Sequence, residues 1–252
     1  MSGYGAGLAE NYDSFIGDVD YNARADYLLA AFERERVAPE LLLDLGCGTG
    51  SLAVCLARRG ISVIGVDASP DMLMLARDKA MHAGLDILFL EQDMRHLDLY
   101  GTVSGAVCSL DGINHLSSER DVRAVFERLR LFVQPGGLFV FDVNTEYKHR
   151  EVLGDNSFVY EDEERDVLCV WRNRYDAPCL STEIMLDFFI PTSNGFYERV
   201  SEDFTEQYYS AEALERNLSK AGFDLLDVFD DLSLHSPGPQ CQRMTLIAKR
   251  MG

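Results

Sequence analysis

Two acidic residues and three glycines are the residues best placed to do chemistry in this chain. Asp44 precedes Gly46, Gly48 and Gly50 in the segment LLLDLGCGTG of residues 41–50. Glycines at this spacing let the backbone adopt positive φ angles and approach a ligand without Cβ atoms in the way. A second apolar run ends in Asp67, where a carboxylate can accept hydrogen bonds from ribose hydroxyls. The pattern predicts a nucleotide-binding turn.

The glycine spacing separates two kinds of nucleotide ligand. A dinucleotide fingerprint has the form G-x-G-x-x-G, and counted from Gly46 its third glycine falls on Ser51. Asp44 would repel a pyrophosphate, whereas a cationic amino group could bind there. The residues therefore disfavour NAD. The alternative to a nucleotide-binding turn is a glycine turn that binds no ligand and only makes a tight junction between a strand and a helix.

Five apolar strands must carry these residues. They are predicted over 41–45, 61–66, 86–90, 103–109 and 137–143, with helical segments between most of them. Such alternation predicts an α/β fold with a parallel sheet. Ligands collect at the carboxyl ends of parallel strands where the strand order reverses, so residues that follow different strands should meet there.

The sequence period changes between residues 151 and 207. Polar and apolar residues alternate there, which is typical of antiparallel strands. Ser210 then caps a last helix that stops at Gly222, and two final strands follow. We expect a small antiparallel β insertion before the final helix. It either covers the substrate or pairs with a second copy of the chain as a homodimer surface, because exposed sheet edges tend to be covered.

Four ordered motifs resemble those of the class I S-adenosylmethionine-dependent methyltransferases. They are DLGCGTG at 44–50, DASPDM at 67–72, QDM at 92–94 and QPGGLFVFD at 134–142. The resemblance covers roughly residues 12–142 well and the rest in outline. It implies a Rossmann-like, doubly wound sheet of seven mostly parallel strands, the last one antiparallel, with S-adenosylmethionine as cofactor. It is specific for the cofactor and weak for the substrate.

The resemblance also implies roles for individual residues. The backbone from Gly46 to Gly50 would hold the methionine part of the cofactor, Asp67 the ribose, and Asp93 with the Met94 amide the adenine. Asp93 could instead only cap a turn, and Cys47 could fill space rather than react. The predicted cofactor-binding set is Tyr12, Asp44, Gly46, Cys47, Gly48, Gly50, Asp67, Ala68, Met72, Gln92, Asp93, Met94 and Leu110.

An aromatic segment, NYDSFIGDVDY at 11–21, precedes the first strand. It resembles the lid of small-molecule methyltransferases, including glycine N-methyltransferase-like enzymes and small bacterial relatives. Tyr12 and Tyr21 would close over the sulfonium, because ring faces attract a cation. A flap packed by Phe15 and Ile16 is the alternative. We expect an N-terminal helical lid over 1–40 and a cofactor-binding domain over 41–150 and 208–252, with the insertion over 151–207.

The methyl acceptor should meet the polar residues that follow the fourth strand. Asp111 and His115 are the predicted catalytic residues, because either could take a proton from an amine. The alternative for His115 is a helix-start histidine bonded to backbone. Three residues of the insertion, Tyr160, Trp171 and Arg172, are candidates for shaping the acceptor pocket. We expect N- or O-methylation of a small molecule, with a cofactor-binding protein that lacks catalysis as the alternative and an NAD-dependent oxidoreductase disfavoured.

Composition and charge exclude several other classes. The chain has 252 residues, 47% of them hydrophobic, and a formal net charge of −19. This charge opposes phosphate backbones, so nucleic acid is a poor partner. The six cysteines are scattered and the five histidines lack metal-site spacing, so we expect buried thiols and no metal. No stretch suits a signal peptide or membrane span, which makes the cytoplasm the expected location.

Overall fold

The structure is a computed structural model that describes residues 6–15 and 19–252. Two helices come first, α1 (Ala6–Phe15) and α2 (Tyr21–Arg34). Strands and helices then alternate as β1 (Leu41–Leu45), α3 (Ser51–Arg58), β2 (Ser62–Asp67), α4 (Pro70–His82), β3 (Leu88–Glu91), β4 (Val103–Cys108), α5 (Glu119–Phe132) and β5 (Val133–Asn144). The chain continues as β6 (Ser157–Asp162), β7 (Val167–Asp176), β8 (Ser181–Pro191), β9 (Tyr197–Gln207), α6 (Ala211–Ala221), β10 (Phe223–Asp230) and β11 (Arg243–Arg250). Ile16, the predicted packing partner of Phe15, lies outside the described residues.

The central sheet has seven strands in the order β10-β11-β5-β4-β1-β2-β3. Strands β1 to β5 pair in parallel, whereas β11 is antiparallel to both of its neighbours. The predicted fold class is thereby confirmed, including the antiparallel last strand. The order reverses between β1 and β4, so their carboxyl ends open the crevice in which ligands of such sheets bind.

Helices cover both faces of this sheet, which explains why its inner strands are apolar throughout. Every residue of β4 is buried. The predicted start of the last helix is confirmed, because the Ser210 side chain accepts a backbone N–H of the first turn of α6. Ser69 and Ser118 cap α4 and α5 in the same way. Gly222 ends α6 in the left-handed region with φ +84°.

The bounds of β3 and β5 differ from the sequence prediction by two residues or more, and those of β2 and β4 by one. β3 begins at Leu88 rather than residue 86, because it is an edge strand that pairs only with β2 over four residues. β5 begins at Val133, since it pairs with Val103 before a register shift. Cys179 is also exposed rather than buried, because it lies in the turn between β7 and β8.

Strands β6 to β9 form a separate antiparallel sheet in chain order, which confirms the predicted insertion. A single π-helical turn over Lys148–Leu153 leads from β5 into it. One face of the sheet packs against α1 and α4 through an apolar cluster that includes Ala9, Met72 and Phe188. The insertion therefore stands over the carboxyl ends of β1, β2 and β4 rather than extending into solvent.

Candidate active site

A cavity of about 400 Å³ lies at the carboxyl ends of the parallel strands. The turns after β1, β2, β3 and β4 contribute to its wall, and Phe204 on β9 of the insertion closes another side. Of the predicted cofactor-binding residues, those that line it are Tyr12, Asp44, Gly46, Cys47, Gly48, Asp67, Ala68, Met72, Gln92, Asp93, Met94 and Leu110.

The glycine turn after β1 bends across the end of β2. Gly46, Gly48 and Gly50 adopt φ angles of +71°, +52° and +73°. Gly50 is the one predicted cofactor-binding residue that does not line the cavity. A Cβ atom on it would lie 2.9 Å from the Cβ atom of Ala76, so this glycine permits the close approach of α4.

Asp44 is a buried acid on the cavity wall, with only 2% of its surface exposed. Its Oδ2 atom has no hydrogen-bond partner among the described residues. Burial, reinforced by the carboxylate of Asp67, raises the pKa of Asp44 to about 7. A buried, unpaired acceptor of this kind suits a cationic amino group, which would satisfy the oxygen and favour its charged form.

Asp67 ties the ends of β1 and β2 together. Its Oδ2 accepts the Gly48 N–H at 2.8 Å, and its Oδ1 accepts the Ser69 N–H at 2.9 Å. Burial raises the pKa of Asp67, although these hydrogen bonds act in the opposite direction. A carboxylate offers about four acceptor positions, so capacity remains for hydroxyl donors in the cavity.

The residues after β3 form the far end of the cavity. Asp93 caps the turn that follows it by accepting the Arg95 N–H at 2.9 Å, and it also pairs with the Arg95 guanidinium, which lowers the Asp93 pKa. Asp93 therefore caps a turn, as the alternative proposed, and also lines the cavity. The Gln92 side-chain amide forms two hydrogen bonds with the backbone of Asp98. Its NH2 group donates to the Asp98 carbonyl at 2.9 Å, and its oxygen accepts the Asp98 N–H at 2.8 Å.

Two buried side chains of the cavity wall also serve as packing. Met72 is fully buried and belongs to the apolar cluster beneath the insertion. Burial, followed by the nearby acids, raises the pKa of the Cys47 thiol, which keeps this side chain protonated and unreactive. The space-filling alternative for Cys47 is the one that its surroundings favour.

Helix α1 is fastened to the glycine turn by a polar cluster. Asp13 accepts hydrogen bonds from the Thr49 hydroxyl and the Lys79 ammonium, both at 2.7 Å. Lys79 also donates to Ser51 at the start of α3. These bonds hold α1 so that Tyr12 lines the cavity, together with Tyr21 at the start of α2. Burial raises the pKa of both phenols, which keeps them protonated at neutral pH.

Asp111 belongs to an ion-pair network instead of the cavity wall. Its Oδ2 accepts hydrogen bonds from Arg243 at 2.7 Å and from Asn144 at 2.9 Å. Burial alone would raise the pKa of Asp111, but the cations of Arg243 and Lys148 outweigh it and hold the pKa well below its ordinary value. A carboxylate held in this way is a poor proton acceptor, which disfavours Asp111 as the base.

A second buried acid, Asp142, sets the conformation of the loop after β4. Leu110 and Asp111 both adopt left-handed φ angles, +59° and +58°. Their N–H groups donate to Asp142 at 3.0 and 2.8 Å. Arg24 and Arg243 pair with the same carboxylate. Asp142, like Arg243, is a residue that the sequence analysis missed, although it ends the last of the four motifs.

His115 lines the cavity directly. Its ring centroid lies 5.1 Å from that of Phe204. One nitrogen of its ring lies within 4.8 Å of a carboxylate oxygen of both Asp111 and Glu206. Three such ligands could share a metal ion, but Arg243 already donates to Asp111 and Asn144 donates to both acids, so the arrangement favours a hydrogen-bonded network.

Glu206 is a further residue that the sequence analysis missed. It lies on the inner face of β9, is 5% exposed, and accepts a hydrogen bond from Asn144 at 2.8 Å. Burial and the nearby Asp111 carboxylate raise its pKa. Alternate residues of a strand share one face, so the position of Glu206 two residues after the apolar Phe204 could have identified it as an inward-facing acid.

Asn114 and the three insertion residues predicted to shape the acceptor pocket lie elsewhere. Asn114 is fully buried and joins β5 to β9, because it accepts the Asn144 N–H at 2.9 Å and donates to the Gln207 carbonyl at 2.8 Å. Tyr160 and Trp171 pack around Phe15 of α1, with ring centroids 5.1 and 5.5 Å from it. Arg172 is exposed and pairs with Asp187 at 2.7 Å. None of these four lines the described cavity.

Comparison with known proteins gives the family. A family model described as a methyltransferase domain matches residues 42–137. A protein of Geobacillus sp. (strain WCH70) assigned to the methyltransferases is 31% identical over 95% of this chain and 96% of its own length. The crystal structure of an S-adenosylmethionine-dependent methyltransferase from Clostridium acetobutylicum ATCC 824 matches with a TM-score of 0.87 at 30% identity, covering 97% of this chain and 98% of that one. This chain belongs to the class I S-adenosylmethionine-dependent methyltransferases.

The methyltransferase has a cavity that fits its cofactor. The unpaired Asp44 oxygen suits the amino group of S-adenosylmethionine, and the Gly46 and Gly48 positions leave the backbone open to close approach. CcbJ of Streptomyces caelestis, at 21% identity and a TM-score of 0.82, shares the fold over 97% of this chain. No helix in the described part of the methyltransferase is both long enough and apolar enough to cross a membrane.

Proposed function

We propose that this methyltransferase transfers its methyl group to the nitrogen of a small-molecule amine, with His115 as the base. The observation that carries this proposal is the position of His115 on the cavity wall, with the half-buried carboxylate of Asp111 and the buried carboxylate of Glu206 close to its ring. A protonated amine has no lone pair for attack, so it needs a proton acceptor inside the site. Imidazole is the group suited to that task near neutral pH.

The charges around the cavity support an amine over an anionic acceptor. Asp44, Asp67, Asp111 and Glu206 are carboxylates on or close to its wall. A carboxylate acceptor would be repelled by them, whereas an amine would be attracted as its ammonium form. A relative from Streptomyces fradiae, an N,N-dimethyltransferase of a dTDP-amino sugar, is 32% identical over 55% of this chain and 54% of its own length.

S-adenosylmethionine, when bound, supplies a methyl group that its sulfonium makes electrophilic. The chain's own residues orient the acceptor and exclude water. Tyr12 and Tyr21 would present their rings to the positive sulfonium as part of an N-terminal lid. His115 would receive the acceptor's proton, and Asp44 and Asp67 would bind the amino and ribose ends of the cofactor. Phe204 would bound the acceptor from the insertion side.

The test is an acceptor panel with the full chain and S-adenosylmethionine labelled at the methyl group. We expect label to appear in small amines, and His115→Gln to lower kcat/KM by about a hundredfold or more while the cofactor affinity changes little. His96→Gln is the matched control, because His96 is exposed and does not line the cavity.

Two other outcomes would contradict the proposal. Transfer to alcohols or phenols alone would assign O-methylation, which is the activity of a 33% identical ubiquinone biosynthesis O-methyltransferase that matches 46% of this chain. Tight binding of S-adenosylmethionine by calorimetry without transfer to any acceptor would instead favour a protein that binds the cofactor without catalysis.

A further inference from the structure

The insertion engages His115 with two consecutive inward-facing residues of β9. Residues 204 and 206 share one face of the sheet, because they pair with Ile184 and Thr182, which are both buried on that face. Phe204 packs against the His115 ring, and Glu206 places a carboxylate oxygen within 4.8 Å of a ring nitrogen. The insertion thus contacts the imidazole with an aromatic ring and places a carboxylate near it.

The two carboxylates beside His115 differ in how far nearby cations neutralise their charge. Asp111 is paired with Arg243 at 2.7 Å. Glu206 accepts a hydrogen bond from the neutral amide of Asn144, and no Lys or Arg forms an ion pair with it within the described ranges 6–15 and 19–252. Glu206 is therefore the carboxylate whose charge acts on His115 with the least local neutralisation.

We propose that Glu206 is a positioning residue that orients the His115 imidazole and stabilises the imidazolium formed when His115 takes a proton. The proposal rests on the proposed function, in which an N–H bond of the acceptor breaks and its proton binds a nitrogen of the His115 ring. The acceptor nitrogen then uses its lone pair for the new C–N bond while the C–S bond breaks and sulfur keeps the electron pair. A carboxylate beside the ring fixes its tautomer and favours its charged form.

Charged and titratable groups face His115 from every element around it. Glu206 comes from β9, Asp111 from the loop after β4, Asp67 from the end of β2 and Tyr12 from α1. Behind the acids stand the cations Arg243 on β11 and Lys148 on the π-helical turn. Replacing Glu206 by Gln changes only one of these charges and keeps an acceptor for the Asn144 amide.

The kinetic test compares Glu206→Gln with Glu202→Gln. Glu202 is on the same face of the same strand, opposite Leu186, and does not line the cavity. We expect Glu206→Gln to lower kcat by about tenfold to a hundredfold with little change in KM or in cofactor affinity, and to move the acid limb of the pH–rate profile to lower pH. Glu202→Gln should leave all four quantities as in the natural chain.

A measurement without turnover separates this inference from the proposed function. In the full chain with ¹⁵N-labelled histidine, the His115 ring signals, assigned by comparison with His115→Gln, should show one dominant neutral tautomer at pH 8. Glu206→Gln should lose that dominance. If no amine is methylated, the proposed function fails, and the ring spectrum still decides whether Glu206 orients His115.

An unchanged His115 spectrum together with an unchanged kcat in Glu206→Gln would overturn the inference. If that variant does not fold, Glu206→Asp replaces it in the test, because Asp keeps the negative charge but its side chain is one methylene group shorter, which moves the carboxylate away from the His115 ring. We then expect a several-fold fall in kcat at unchanged cofactor affinity. A kcat equal to that of the natural chain in Glu206→Asp would likewise contradict a positioning role.

Discussion

The two ends of the cavity are built in different ways. At the cofactor end, the glycine turn and Asp67 lie within 22 residues of one another along the chain, over residues 46–67, and the backbone supplies many of the polar groups. At the acceptor end, side chains from α2, β5, β9 and β11 meet in one network around Asp111 and Asp142. The first end is local in sequence and the second is assembled by the fold.

This difference explains where the sequence was informative. A backbone turn must use particular residue types at fixed spacing, because few residues adopt positive φ angles. An ion-pair network can draw its members from any element that the fold brings near. If the two ends differ in this way, the acceptor end should depend on its network and the cofactor end on its turn, and four variants test this.

Arg243→Met should break the acceptor end most severely. This change leaves the half-buried carboxylate of Asp111 and the buried carboxylate of Asp142 without one of their cations, and we expect the free energy of unfolding to fall by about 3–5 kcal/mol. Denaturant unfolding at pH 7.5 measures it. Arg123→Met removes an exposed pair with Glu127 and should cost less than about 0.5 kcal/mol. Equal losses in the two variants would show that the network adds nothing beyond a surface pair.

Asp67→Ala should reduce the affinity for S-adenosylmethionine more than it reduces the stability of the fold. We expect the Kd for S-adenosylmethionine to rise by about tenfold to a hundredfold, because hydrogen bonds to a charged group are lost from both the ligand and the Gly48 amide. Titration calorimetry measures the change. Glu91→Ala is the matched control, since this acid ends β3 opposite Asp67 in the register and does not line the cavity.

Asp44→Asn tests the cost of an unpaired buried acid. Because the folded-state pKa of about 7 lies above the ordinary value, the folded chain holds this proton more tightly, and stability falls as pH rises from about 4 to 7. Asn removes that penalty. We expect the ligand-free variant to be more stable by about 2 kcal/mol at pH 8 and nearly unchanged at pH 4, while its cofactor affinity falls. A stability gain that is the same at both pH values would refute the assignment.

Gly50→Ala separates the packing role of this glycine from a binding role. The left-handed backbone costs about 1 kcal/mol for alanine, and contact with Ala76 adds about 1 kcal/mol more. Gly60→Ala has a similar φ of +84° with open space around its Cβ position, so it should show the backbone cost alone. Thermal unfolding of both variants gives the difference. If Gly50→Ala lowers the affinity for the cofactor but not the stability, Gly50 has a binding role rather than a packing role.

Much of the fold followed from local patterns. The serine cap at 210, the apolar strands and the alternation after residue 151 each depend on neighbours in the chain, and the strands were predicted with bounds that shifted by a few residues. The larger shifts occurred at β3 and β5, where pairing with another strand decides the ends. Strand pairing is a tertiary quantity that a local pattern does not contain.

The cofactor could be predicted from the sequence alone, because its motifs must place glycines and acids at fixed offsets around a ligand. The acceptor end depends on the tertiary structure. The fold pairs Asp111 with Arg243, which lies 132 residues away along the chain, and this pairing disfavours Asp111 as a base. The fold also brings Glu206 to His115 from a separate sheet. The charge state and position of a buried side chain depend on its neighbours in space, and at the acceptor end those neighbours come from elements that are far apart in the sequence.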